Sequence, residues 1–224
     1  MSPTRRDLHW VRPPQQARSQ ETLDRILDAA EALVAEKGFE DATVAEVARR
    51  AGSSVGAFYA RFRDKEGLLY ALYERYLEQA VATADDALDP ERWEGASVAE
   101  ILAAVVRFLV VIYRERGGVL RAFVLRNHTD MEFRARQERL SHYVGDKLRA
   151  LLLARPHGIA HPDPGRAASF GLTIAFSTIE SAILFGETRS GTYSFSDDEL
   201  AAELTRVYLA YLGIAPVTAT HRNP

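Results

Sequence analysis

The chain has 224 residues, 47% hydrophobic and 26% charged, enough to bury a sizeable core in one large domain or two small ones. It contains no cysteine, which excludes disulfides, thiolate metal sites and cysteine catalysis. A net charge of −3 argues against a protein that coats nucleic acid indiscriminately, yet residues 1–65 carry 11 Lys/Arg against 10 Asp/Glu and residues 66–224 carry 17 against 21. Binding to DNA through one cationic face stays open, because placement rather than sum decides it.

Residues 1–17 are polar and contain Pro3, Pro13 and Pro14, so a loose arm is expected. No apolar stretch follows Arg5 and Arg6, so the segment is not a secretory signal. From Leu23 the apolar positions Ile26, Leu27, Ala30, Leu33 and Val34 recur at three and four, which predicts an amphipathic helix ending at Lys37-Gly38. Thr43-Val-Ala-Glu46 is a capping box that opens a second helix with an inner stripe of Val44, Val47, Ala48 and Ala51. Gly52 stops it. Val55, Phe58, Tyr59 and Phe62 follow at i, i+3, i+4 and i+7, predicting a short third helix. Asp64 caps a fourth, with Leu68, Leu69, Leu72, Tyr73, Tyr76 and Leu77 on its inner face.

A break is expected from Asp89 to Gly95. Ser97-Val-Ala-Glu100, a second capping box, starts a helix that runs to a stop at Arg116-Gly117-Gly118. A short helix covers Val119 to Asn127, and another runs from Asp130 to about Ala154. After the loop RPHGIAHPDPG, Asp163-Pro164 pairs a cap with proline at the first helical position. The helix it opens ends near Gly186. Ser196-Asp-Asp-Glu199 is a third capping box, and the last helix ends at Gly213. No alternating run demands a sheet. The fold class read from this pattern is all-α, and the lack of a signal or a membrane-length apolar segment reads as soluble and cytoplasmic, with no membrane partner.

Ala51-Gly-Ser-Ser-Val-Gly-Ala-Phe-Tyr59 joins a tight turn to a helix whose first turn is nearly bare. A small Ala48 permits a close crossing, Gly52 takes the positive φ of a tight turn, and Phe58 and Phe62 anchor the second helix from behind. That is helix-turn-helix geometry, which presents its second helix to the DNA major groove. A plain helical corner has the same spacing, so the residues alone leave both readings open.

The stretch from about Arg18 to Leu72 resembles the N-terminal domain of the TetR family of bacterial transcriptional regulators. The residues that carry the likeness are Glu36-Lys-Gly-Phe39, Thr43-Val-Ala-Glu-Val-Ala48, Ala51-Gly52, Ser54-Val-Gly-Ala-Phe-Tyr59, Phe62 and Asp64-Lys-Glu-Gly-Leu-Leu69. The resemblance implies an N-terminal three-helix DNA-binding domain over residues 18–64, a helical effector-binding and dimerisation domain over 65–214, and a C-terminal tail over 215–224. It places Thr43, the Tyr59 hydroxyl and Lys65 on phosphates, and Ser54, Val55, Gly56 and Ala57 at the groove. Arg18 and Arg61 are further phosphate partners. Two positions depart from the family pattern. Ser53 replaces a common apolar residue, and Val55 replaces a longer polar one, so the third helix lacks a bidentate base reader.

Double-stranded DNA and a second copy of the chain are the expected partners, because one helix-turn-helix reads only a few base pairs. Residues 167–185 are apolar nearly all round, with Glu180 the single charge, and need covering on every side. A four-helix bundle of two copies does this, through Phe170, Ile174, Ile179 and Ile183 with Leu204, Val207, Tyr208 and Tyr211. The resemblance further implies a cavity for a small-molecule effector, for which Phe108, Tyr113, Phe123, Arg126, Asn127, Phe133, Thr173 and Phe176 are candidates. His157 and His161 sit in a Pro/Gly loop without further ligands, so no metal or cofactor is expected. Ser141-His142 and the carboxylates form no acid/base or nucleophile arrangement, and an enzyme is not expected. The functional expectation is a ligand-responsive repressor. The alternative is an all-α ligand-binding or scaffold protein that does not bind DNA.

Overall fold

The computed structural model describes residues 17–155, 158–186, 189–190 and 193–214. The arm with Arg5 and Arg6, His157, and the tail 215–224 lie outside the described residues, as do the side chains of Arg18 and Ile183.

The elements in chain order are α1 (Ala17–Lys37), α2 (Val44–Arg50), α3 (Val55–Tyr59), α4 (Lys65–Ala87), a 3-10 turn (Pro90–Trp93), α5 (Val98–Glu115), α6 (Gly117–Thr129), α7 (Met131–Leu153), α8 (Pro164–Phe185) and α9 (Asp197–Tyr211). The all-α architecture is as the sequence predicts, apart from one small antiparallel hairpin, β1 (Arg189–Ser190) with β2 (Tyr193–Ser194). A ladder two residues long leaves no alternation to detect in sequence.

Local chemistry sets most helix starts. All three capping boxes form, at Thr43/Glu46, Ser97/Glu100 and Ser196/Glu199. Asp130 and Asp163 cap α7 and α8 by accepting backbone N–H bonds from Phe133 and Arg166. Each cap satisfies donors that a helix start leaves orphaned. Two boundaries differ from expectation. α3 ends at Tyr59 rather than running to Phe62, although the Phe62 N–H still reaches the Phe58 carbonyl at 2.9 Å. Gly117 and Gly118 do not form a loop; they open α6.

The described residues form two compact units, one drawn from residues 17–80 with 118–125 and the other from 81–117 with 126–214. In the first, Ile26, Ala30 and Val34 of α1 meet Val47 and Ala48 of α2, Phe58, Phe62, and Leu68, Leu69 and Tyr73 of α4, all buried. Tyr73 and Tyr76 hold Phe123 at ring separations of 4.9 and 5.5 Å. Arg75 of α4 bridges Asp28 and Glu31 of α1, both at 2.5 Å. Gly118 lies against α1 so closely that a Cβ there would stand 2.6 Å from the Ala35 Cα.

In the second unit α5 packs against α8 and α9, and α7 against α8. Ile101, Leu102, Val106, Phe133, Leu148, Leu152, Leu172, Ile179, Leu204 and Tyr208 form its core. Arg155 donates to the Ala96 carbonyl at 2.8 Å and to the Trp93 carbonyl, pinning the chain ahead of α5. Gly171 of α8 lies directly under the Tyr208 ring, whose hydroxyl donates to the Ala168 carbonyl.

Candidate nucleic-acid interface

The surface built by α2, the turn and α3 is organised from behind by aromatic packing. Phe58 and Phe62 are fully buried with their rings 5.0 Å apart, and each contributes about 1.5–3 kcal/mol of burial. Ala48 and Ala51 are buried at the crossing. Gly52 adopts φ 60°, a conformation that side chains with a Cβ resist. The Ser53 N–H then bonds the Ala48 carbonyl at 2.9 Å, so the turn closes with a serine in place of the common apolar residue.

Ser54 caps α3 by accepting the Ala57 N–H at 3.0 Å. Its hydroxyl therefore organises the helix before it can meet a ligand. Val55 is 43% exposed, Gly56 is open and Ala57 half-buried, which leaves methyl groups and backbone as the outer surface of the first turn. Tyr59 packs edge-on against Phe58 at 5.3 Å and is 52% exposed.

The cations around this surface are mostly engaged. Lys65, first residue of α4, donates to the Glu40 carbonyl at 2.8 Å and lies 4.5 Å over the Phe39 ring. Arg61 folds back to donate to the Ala57 carbonyl at 3.1 Å. Lys37 pairs with Glu46 at 2.7 Å and Arg50 with Glu36 at 2.7 Å. Glu46 also accepts the Thr43 hydroxyl at 2.7 Å and the Thr43 N–H at 3.1 Å. The Lys37 ammonium, with the two Thr43 donors, lowers the Glu46 carboxyl to a pKa of about 2. Arg18 is placed in the first turn of α1 by its backbone alone.

Arg49 was not among the residues expected at this surface. It is exposed in the last turn of α2 and makes no side-chain hydrogen bond or ion pair among the described residues. Its position four residues after Ala45, also exposed, marks the outward face of α2, a signal available from helical spacing.

Residues 26–72 match the family model of bacterial regulatory proteins, tetR family. That N-terminal segment is similar to the DNA-binding domain of the TetR family. The chain is 28% identical over 195 residues to Mb2274c of Mycobacterium bovis, an HTH-type transcriptional regulator, covering 86% of this chain and 95% of that one. Three other curated relatives are matched over only 20–40% of their own length. The fold is that of a Mesorhizobium loti chain assigned to the TetR family, at a TM-score of 0.69, 20% identity, and coverage of 88% of this chain and 98% of the other. It is also that of FadR from Bacillus subtilis in complex with stearoyl-CoA, at a TM-score of 0.58, 22% identity, and coverage of 84% and 96%.

The residues expected around an effector fall in both units. Phe123 belongs to the first unit. In the second, Tyr113 and Phe176 approach to 6.2 Å and Phe133 is fully buried, whereas Phe108 is exposed. The Thr173 hydroxyl donates to the Ser169 carbonyl at 3.1 Å. Arg126 lies 3.6 Å from Asp130, and the Asn127 carbonyl accepts from Arg134 at 3.0 Å. The Asn127 side-chain oxygen is buried without a hydrogen-bond partner among the described residues. A half-open cleft of about 100 Å³ lies between α5, α8 and α9, and Tyr113 is the one expected residue on its wall. Burial raises the pKa of the Glu180 carboxyl on α8, against a smaller opposing pull from His128.

Among the residues expected between two copies, Ile179, Leu204 and Tyr208 are buried in the protomer's own core. Phe170 and Val207 are exposed, Ile174 and Tyr211 are half-buried, and Phe170 lies 5.5 Å from Tyr211. His161 is held by the Asp163 backbone and the Tyr211 ring. No described helix is long and apolar enough to cross a membrane.

Proposed function

We propose that this chain is a DNA-binding transcriptional regulator that sits as a homodimer on a palindromic operator, represses there, and is released by a small-molecule effector. The observation that carries the reading is the helix tip at Ser54–Ala57: bare outward, braced inward by two buried phenylalanines, within the segment that matches the tetR family. A tip without bulk lets the backbone and the methyls of Val55 and Ala57 reach base edges. Thymine methyl contacts and DNA shape then supply the discrimination.

Residues 18–64 form the DNA-reading module in this proposal, and 65–214 the effector and dimerisation module. Tyr59, Thr43 and Lys65 contact phosphates, with Arg18, Arg61 and the newly placed Arg49 as further cations. Lys65 and Thr43 are already oriented by Glu40 and Glu46, so they meet the backbone with little loss of side-chain freedom. The exposed Phe170 and Val207, with Ile174 and Tyr211, form the two-fold contact of α8 and α9. An effector is supported by the stearoyl-CoA complex of the FadR fold relative. Its leverage equals its differential affinity for the DNA-competent and released states.

The test is fluorescence anisotropy on duplexes selected from a random pool. Tyr59→Phe should weaken binding roughly two- to tenfold on every sequence alike, the worth of one hydrogen bond. Lys65→Ala should lower the slope of log affinity against log salt by about 0.9. Failure of the wild-type chain to bind any duplex at low ionic strength, with no compound added, refutes the proposal and favours a ligand-binding or scaffold protein.

A further inference from the structure

The cleft between α5, α8 and α9 has an apolar interior and a mouth with one charge of each sign. Val110 and Tyr113, Ile179 and Ala182, and Leu200 line it, all of them buried in the chain. At the mouth the Arg114 Nε donates to the Asp197 carboxylate at 3.0 and 3.1 Å, and Nη2 donates at 2.6 Å. Both side chains remain substantially exposed, at 50% and 40%. Arg114 Nη1 makes no hydrogen bond among the described residues. The neighbouring acids are occupied elsewhere: Asp198 pairs with Arg107 at 3.1 Å, and Glu199 completes the cap of α9.

We propose that this cleft binds a free aliphatic α-amino acid of valine or leucine size. The volume of about 100 Å³ is below the roughly 150 Å³ of a cavity that takes a benzene ring, and suits a small branched group such as isopropyl or isobutyl. The amino acid's carboxylate accepts from Arg114 Nη1, and its ammonium donates to the Asp197 carboxylate, whose Oδ2 accepts only the Nε bond at 3.1 Å. The ion pair at the mouth is extended by the ligand and does not have to break. A simple carboxylate of the same size brings a second anion beside Asp197. An amine brings a second cation beside Arg114. Only the zwitterion matches both charges, each through a charge-assisted hydrogen bond.

The inference rests on the ligand-responsive reading only in naming its ligand, and the binding is measured without DNA. Titration calorimetry on the full chain with L-valine and L-leucine should give saturable binding about tenfold or more tighter than isovalerate or isopentylamine, each of which lacks one charge. Arg114→Met and Asp197→Asn, both at exposed positions, should each weaken the amino acid by a similar factor without changing the circular dichroism melt. Absence of saturable binding by both amino acids overturns the proposal. So does equal binding of isovalerate or isopentylamine, or unchanged affinity in both variants. Anisotropy with DNA is read separately: leucine binding without DNA binding sinks the regulator reading alone. DNA binding without amino-acid binding sinks the cleft alone.

Discussion

Replacing Gly171 by alanine tests how the second unit is closed. A Cβ at this position would overlap the ring of Tyr208, with Cζ at 2.7 Å and two ring carbons nearer still. The ring is 2% exposed and its hydroxyl is tied to the Ala168 carbonyl one turn earlier on α8, so it has no vacant rotamer to move into. In an open helix the change from glycine to alanine gains about 1 kcal/mol. Here it forces out an aromatic side chain whose removal costs about 3–5 kcal/mol. The net expectation is a loss of about 2–4 kcal/mol, taking the expulsion term less the helical gain. In a Tyr208→Ala background the obstruction is gone, and the same substitution should stabilise by about 1 kcal/mol. Urea denaturation followed by circular dichroism, at one fixed protomer concentration, measures the four members of this cycle. A neutral Gly171→Ala in the wild-type chain, or an equal loss in both backgrounds, would refute the packing argument.

Gly118→Ala should cost about 1–3 kcal/mol, because its Cβ would meet the α1 backbone, whereas Gly117→Ala, with open space around it, should be neutral or slightly stabilising in the same denaturation assay. Glu46 titrates at about 2 in the folded chain against 4.5 unperturbed, so its contribution is full above pH 4.5 and lost as pH falls toward 2. The difference in thermal midpoint between wild type and Glu46→Gln should therefore be widest above pH 4.5 and close toward pH 2. Glu180 has the opposite sign: its folded pKa is raised, so its contribution is best at acid pH and declines as pH rises above 4.5. Glu180→Gln should be more stable than wild type at pH 7, and the advantage should vanish below pH 4.

The helix starts were legible because each is decided by residues three positions apart. Thr43, Ser97 and Ser196 with their glutamates need nothing from the rest of the chain. The reading head was legible for a similar reason, since Gly52, the small residues after it and Phe58 and Phe62 lie within eleven positions. Close approach was not legible. Gly118 reads in sequence as a helix stop, and what demands a glycine there is the backbone of Ala35, more than eighty positions away. Apolar spacing showed that Ile179 and Tyr208 need cover without showing what covers them, and the answer is their own protomer's α5, α8 and α9. Unit membership was not legible either: an aromatic such as Phe123 carries no mark of which unit it will enter.

In the proposed complex with DNA, the bareness of α3 limits how the reading head tells one sequence from another. A bidentate side chain on a base edge is worth about 1–3 kcal/mol of discrimination, and Val55, Gly56 and Ala57 have none to offer. Methyl contacts and groove shape grade sequences more gently, so each head selects weakly. Nor does charge compensate, since residues 1–65 hold 11 cations against 10 anions and Glu46 and Glu36 neutralise two of the cations nearest the head. In the proposed homodimer, selectivity depends on joining two heads at a fixed half-site spacing, where two modest discriminations multiply. On this argument the exposed faces of α8 and α9 matter to specificity as much as α3 does. Substituting Phe170 or Val207 by a charged residue should flatten the preference for the palindrome more than it lowers affinity for a single half-site.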